Sequence, residues 1–430
     1  MTSKQEARRL IRSMRGELRR LLQELVRTES VASPPGGNET PAQLVLREFF
    51  RGQGLKPDLY STEFLEQSAH PALQPNRRYR GRKNLSVRLS GNGRGRSLLL
   101  NGHMDTVPAG RTPWSRSPWS GDFREGRVHG LGSFDMKGGL VANAAVVCAL
   151  HKVGIRTGGD VLFESVVDEE WGGGGGTIAA RLHDGGADAC VIPEGTQLEI
   201  YRATRGGFVV DLIVRAAEGG ERSAYFSKAE VPSPAIPMGR LLGWVEALGK
   251  ERASVGATDA YADFPDPVPV QVLAIEANQI SPDVPLSVPT QGTVRVYFQF
   301  LPEEDVDAVI REVEASLRRW EQTDAFFSKH PVTWKPVIGA PLKGNSVALD
   351  HPWTECLRAS ARGVLGHEPV VTGAPYPCDA GLMQRQFGIP TLLFGPRGDG
   401  AHNPEEYVDF ESVLTTAEVL LSATLAWTNG

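Results

Sequence analysis

The chain has 430 residues, 40% of them hydrophobic, and a formal net charge of −5. That length exceeds one ordinary domain and suffices for two real cores, while the slightly acidic balance argues against a nucleic-acid partner. Four scattered cysteines (Cys148, Cys190, Cys356, Cys378) offer neither zinc-ribbon spacing nor a disulfide framework, and no signal core or membrane-length run is read. A cytoplasmic protein without membrane contact is expected.

Lys4 to Glu29 carries Leu10, Met14, Leu18, Leu21, Leu22 and Leu25 at helical spacing, which predicts an amphipathic helix. Ser33-Pro-Pro-Gly-Gly37 breaks the chain, and a second helix is predicted over Thr40–Gln53 with Pro41 in its first turn. Residues 60–83 are polar and basic with two prolines and read as an irregular excursion. Strands follow at Asn84–Leu89 and Ser97–Leu100, where three leucines mark a buried strand of a parallel sheet. Asn101-Gly102 ends that strand and sets His103 and Asp105 at its carboxyl end, where open α/β sheets bind their ligands.

A loop rich in Trp, Pro and Ser spans Pro108–Arg127, and Asp135-Met-Lys-Gly-Gly139 opens an apolar helix that runs to Lys152. Residues 160–167 read as another buried strand, ending in Asp168-Glu169-Glu170. The glycine run 172–176 lacks the lysine of a phosphate loop, so its use is to let backbone approach closely. A short helix follows, then a strand at Ala189–Ile192 that ends at Pro193-Glu194. This alternation predicts a doubly wound α/β domain.

Past Arg205 the texture changes. Strands are predicted at Gly207–Val214, Val268–Ala277 and Pro289–Leu301, with helices at Pro234–Glu251 and Glu303–Trp320. The α/β pattern resumes with Trp353–Leu365, Ile389–Phe394 and a C-terminal helix from Glu411. The expected organisation is an α/β domain in two parts, 1–204 and 323–430, around an inserted α+β domain at 205–322.

His103, Asp105, Asp135, Glu169, Glu170, Glu194 and His402 all fall at one edge of the predicted sheet. Carboxylates packed so closely repel, and their clustering implies a cation. Mixed His, Asp and Glu donors suit zinc, and more than four of them point to two ions that share a bridge. Successive side chains at a strand end face opposite ways, so Glu169 and Glu170 divide the work. One can bind metal while the other faces water as general base.

In order and spacing, Asn101-Gly-His-Met-Asp-Thr-Val-Pro108, Asp135-Met-Lys-Gly-Gly139, Asp168-Glu-Glu170 and Phe394-Gly-Pro through Ala401-His402, with Glu406-Tyr-Val after it, form a specific set. The set resembles the group of cocatalytic zinc hydrolases that includes aminoacylase, acetylornithine deacetylase, succinyl-diaminopimelate desuccinylase and glutamate carboxypeptidase. The resemblance implies a zinc-peptidase-like catalytic domain and an inserted ferredoxin-like lid that forms a homodimer. It implies two zinc ions per chain, with cobalt or manganese as substitutes. Asp135 would bridge them, His103 and Glu194 would complete one site, and Glu170 and His402 the other. Asp105 would orient His103, and Glu169 would be the base.

Two positions depart from that pattern. Most members of that group carry a histidine in the inserted domain that steadies the oxyanion, but this chain has no histidine between Asp184 and Lys329, and Arg222-Ser223 stands in its place. The lid strand reads Tyr297-Phe298-Gln299 where relatives carry Asp-x-Arg to grip a carboxylate. Gln299 supplies no charge, so the expected substrate is a small amide whose amine portion is neutral or masked. Deformylases of aminopyrimidines share this lack of the lid arginine. Arg222, Arg205 and Arg397 are the further substrate-contact candidates. The expected activity is dizinc hydrolysis of an N-acyl or related amide. The alternatives are an exopeptidase and a catalytically silent ligand-binding relative, against which an intact Glu169 speaks.

Overall fold

The computed structural model describes residues 2–172, 174–217, 233–254, 256, 258–277, 286–337 and 339–430, and the backbone of 221–223. The chain forms two compact units, Met1–Thr204 with Asn345–Gly430, and Arg205–Gly344.

In the first unit Leu98–His103 lies between Val161–Val166 and Cys190–Ile192, with Thr391–Leu393 beyond, all four parallel. Leu98 and Leu100 enter one apolar cluster while Leu99 enters another on the opposite face of the sheet. A strand covered on both faces cannot alternate in polarity, which is why this one reads as an unbroken apolar run. Antiparallel strands flank this core, Lys83–Leu89 and Asp58–Ser61 on one side and Ile200–Thr204 on the other.

The helix Gly138–Val153 is buried from Gly138 to Leu150, against the C-terminal helix Phe410–Asn429 and the N-terminal helices. Residues 133–153 are long and apolar enough to cross a membrane, contrary to the sequence reading, yet 94% of their apolar 18-residue window is buried inside the fold. It is the core helix. The predicted first helix divides at Met14 into Ser3–Ser13 and Arg15–Arg27. Its first part is tied to the C-terminal helix by Arg8 Nε, which donates to Glu418 at 3.0 Å.

The second unit is α+β. Its antiparallel sheet runs Val270–Glu276, Gln291–Phe300, Gly206–Arg215, Thr333–Pro336. The helices Ala235–Arg252 and Val306–Glu321 contribute Leu241, Trp244, Val309 and Val313 to the same apolar cluster as Val210, Val294 and Val296. The unit extends to Gly344 rather than ending at 322, because Phe327 and Val332 enter its core and Thr333–Pro336 pairs with Gly206–Arg215.

Candidate active site

The sequence-predicted residues of the first unit meet at the carboxyl ends of its parallel strands. His103 ends its strand with a side chain only 2% exposed. Its Nδ1 lies 2.9 Å from the backbone carbonyl of Asp105. A carbonyl only accepts, so Nδ1 carries a proton and Nε2 is left to face Asp135 with either a second proton or a metal ion. That Nε2 lies 3.1 Å from Oδ1 of Asp135 and 3.7 Å from Glu194. On the other side His402 Nε2 stands 3.1 Å from Oδ2 of Asp135 and 2.8 Å from Glu170. A lone pair facing a carboxylate oxygen repels it unless a proton or a cation lies between.

The electrostatics follow from this crowding. Burial raises the carboxyls of Glu169, Glu170 and Glu194 above the usual range, and neighbouring carboxylates push each further. Burial opposes the charge on His402, but its hydrogen bonds to Asp135 and Glu170 raise it to about 12. Ligand atoms of His103, Asp135 and Glu170 fall within 4.8 Å of one another. Glu170 Oε1 is buried and has no hydrogen-bond partner among the described residues. Two imidazoles, three carboxylates and an unspent oxygen fit divalent metal ions.

Two buried carboxylates hold this arrangement in ways the sequence does not announce. Asp105 accepts the backbone amides of Glu169 at 3.2 Å and Glu170 at 3.0 Å, while its carboxylate stays 3.6 Å from His103. It therefore touches His103 through its carbonyl and the acid pair through its side chain. Glu406 accepts the amides of Gly132 at 2.9 Å, Phe134 at 2.8 Å and Asp135 at 3.0 Å, and so fixes the turn that carries Asp135. Glu406 follows His402 in the sequence motif, but a carboxylate that binds backbone has no local signature. Gly176 explains part of the glycine run, since a Cβ there would meet the Val167 carbonyl oxygen at 2.0 Å.

The substrate-contact candidates are placed separately. In the second unit Gln299 is buried, and its Oε1 accepts from Arg205 Nη1 at 3.1 Å. Arg205 also donates to the Asp266 carbonyl at 2.8 Å and lies over the rings of Tyr261 and Phe264. Arg222 sits in the short strand Glu221–Ser223, with its side chain outside the described residues. Arg397, in the first unit, is exposed.

Residues 99–426 match the model of Peptidase family M20/M25/M40. The chain belongs to this family. As an M20-family member it is a metal-dependent hydrolase of amide bonds, with the catalytic α/β unit and inserted α+β unit described above. It is 25% identical over 427 residues to N-formyl-4-amino-5-aminomethyl-2-methylpyrimidine deformylase of Halalkalibacterium halodurans, a match that covers 96% of this chain and 94% of that protein. It is 27% identical over 328 residues to succinyl-diaminopimelate desuccinylase of Phenylobacterium zucineum, covering 74% and 80%. The dipeptidase Dug1p of Saccharomyces cerevisiae shares the fold with a TM-score of 0.78 at 15% identity, covering 100% of this chain and 99% of that one.

Proposed function

We propose that this M20-family enzyme is a dinuclear zinc amidohydrolase that cleaves small N-acyl amides, N-formyl amines above all, whose amine portion bears no free carboxylate. The observation that carries the two-metal reading is Asp135, whose two carboxylate oxygens face different histidines at 3.1 Å each. In this reading Asp135 would bridge, His103 and Glu194 would hold one ion, and Glu170 and His402 would hold the other. Imidazole and carboxylate donors support zinc, with cobalt or manganese as working substitutes. When bound, the ions supply Lewis acidity toward the amide carbonyl and make water nucleophilic at neutral pH.

The protein's own part is proton handling and orientation. Glu169 takes a proton from the attacking water at its carboxylate and returns it to the leaving amine nitrogen. Its carboxyl, raised by burial among other acids, is suited to both steps. Asp105 fixes the backbone of Glu169 and Glu170, so that the two side chains keep their separate tasks.

The substrate class is supported by Gln299, which is uncharged and already bonded to Arg205, and by the full-length similarity to the deformylase. A homodimer is supported by the edge strand Val270–Glu276, whose Leu273 and Ile275 are 51% and 56% exposed. Four unpaired cysteines support a reducing, cytoplasmic setting.

The test is to titrate metal-free protein with zinc while assaying N-formyl-4-amino-5-aminomethyl-2-methylpyrimidine, N-acetylmethionine and a dipeptide. Activity that saturates at two ions per chain, with the formamide preferred, is expected. Saturation at one ion would overturn the dinuclear reading, and a preferred dipeptide would overturn the substrate reading.

A further inference from the structure

Asp168, the residue before the proposed base, adopts a φ of +71° and is 1% exposed. Aspartate tolerates the left-handed region better than most residues, but such a conformation persists only where its surroundings hold it. Here the hold comes from the 60–83 excursion. Asp168 Oδ1 accepts from Arg82 Nη1 at 3.0 Å and pairs with Arg77 Nη2. Its Oδ2 accepts from Tyr79 Oη at 3.1 Å and Arg77 Nε at 3.3 Å. Both carboxylate oxygens are thus engaged twice by one irregular segment.

The same segment grips the chain on the far side of the acid pair. Gln74 Nε2 donates to the Gly172 carbonyl at 3.2 Å. The Tyr79 ring occupies the space that a Cβ on Gly175 would need, at 2.3 Å. Arg82 is further neutralised by the buried Glu39, to which its Nε donates at 3.0 Å. Glu169 and Glu170 therefore lie between two anchored residues, with their own amides on Asp105.

We infer that Arg77, with Arg82 and Tyr79, is a positioning residue that clamps Asp168 and thereby fixes the backbone turn that aims Glu169. The inference rests on the reading of Glu169 as base. Arg77 is the member to test, because its removal leaves Asp168 paired with Arg82 and not as an unpaired buried charge. A pure fold staple would lower stability alone, whereas a clamp on the base acts on turnover.

The experiment is a double-mutant cycle of Arg77→Ala and Glu169→Gln in the zinc-loaded enzyme, with kcat, KM, bound zinc and melting temperature read for each. The probe is whichever of the formylated aminopyrimidine and N-acetylmethionine is turned over. Arg77→Ala should lower kcat by about ten- to hundredfold, the scale of a misaimed catalytic group, with KM and zinc content essentially unchanged. Millimolar guanidinium should restore part of the loss and ammonium should not, since only the planar fork matches the carboxylate. In the Glu169→Gln background the same change should cost almost nothing. An equal loss in both backgrounds, or a lowered melting temperature with unchanged kcat, would overturn the clamp. Glu169→Gln alone tests the underlying reading: near-normal turnover there removes the base, and the clamp with it. A large loss combined with additivity removes only the clamp.

Discussion

His402 Nε2 lies 3.1 Å from Oδ2 of Asp135, on the opposite oxygen from the one His103 approaches. In the proposed dinuclear site this carboxylate would be shared, while each histidine would serve one ion. Asp135→Ala is therefore expected to strip both ions, whereas His402→Ala leaves about one per chain. Metal analysis after gel filtration checks this. Two ions retained in both variants would contradict the shared role.

Glu169→Gln preserves size and hydrogen bonding but removes proton acceptance. Turnover should fall by a factor of about 10²–10⁴ while both ions stay bound. Loss of zinc with unchanged activity per remaining ion would make Glu169 a ligand instead of the base.

Metal uptake should be linked to protons. Hydrogen bonds to Asp135 and Glu170 outweigh burial and hold His402 protonated up to about 12, and His103 is likewise raised well above its ordinary value. Each imidazole must lose its proton to bind metal. Affinity must therefore rise with pH and fall as pH drops, with protons released on binding at pH 7. Calorimetry in buffers of different ionisation enthalpy measures the release, and a heat independent of buffer would count against it.

Much of this centre was readable from the chain because its parallel strands are buried on both faces. Leu98–Leu100 and residues 161–166 carry no polar alternation, and their ends point to His103, Asp168 and Glu169 without further information. The strand Thr333–Pro336 was not readable. It is short and largely exposed and exists through pairing with Gly206–Arg215, so its sequence has neither an apolar run nor a period. Nor were the partners of Asp168. Arg77 and Arg82 lie 91 and 86 residues away along the chain, and a long-range ion pair leaves no pattern in its own neighbourhood. In both cases tertiary contact decided what local composition could not.

The edge strand Val270–Glu276 should join two chains. Its exposed Leu273 and Ile275 lie on a sheet edge that pairs with no further strand among the described residues, a surface that proteins usually protect with charge. Leu273→Lys combined with Ile275→Lys should shift a dimer to monomers without loss of fold, as read by sedimentation and circular dichroism. A wild-type monomer at micromolar concentration would sink the proposal.

The last prediction concerns substrate charge. A carboxylate taken out of water requires a cationic partner, and a charge-assisted hydrogen bond contributes about 1.5–3 kcal/mol, or roughly ten- to 150-fold in affinity. Gln299 cannot provide it, and its carbonyl oxygen is engaged by Arg205. Introducing Gln299→Arg would set two guanidinium groups side by side in a buried position, so that variant is expected to lose stability and is a poor test. The wild-type enzyme is the better instrument. Its kcat/KM should be higher for N-acetylmethioninamide than for N-acetylmethionine, and the gap should persist at high salt, because screening reaches buried sites weakly. A tenfold preference for the free acid (~1.4 kcal/mol) would refute the idea. It would direct attention to Arg202, Arg205 and the exposed Arg397 as the carboxylate's partner.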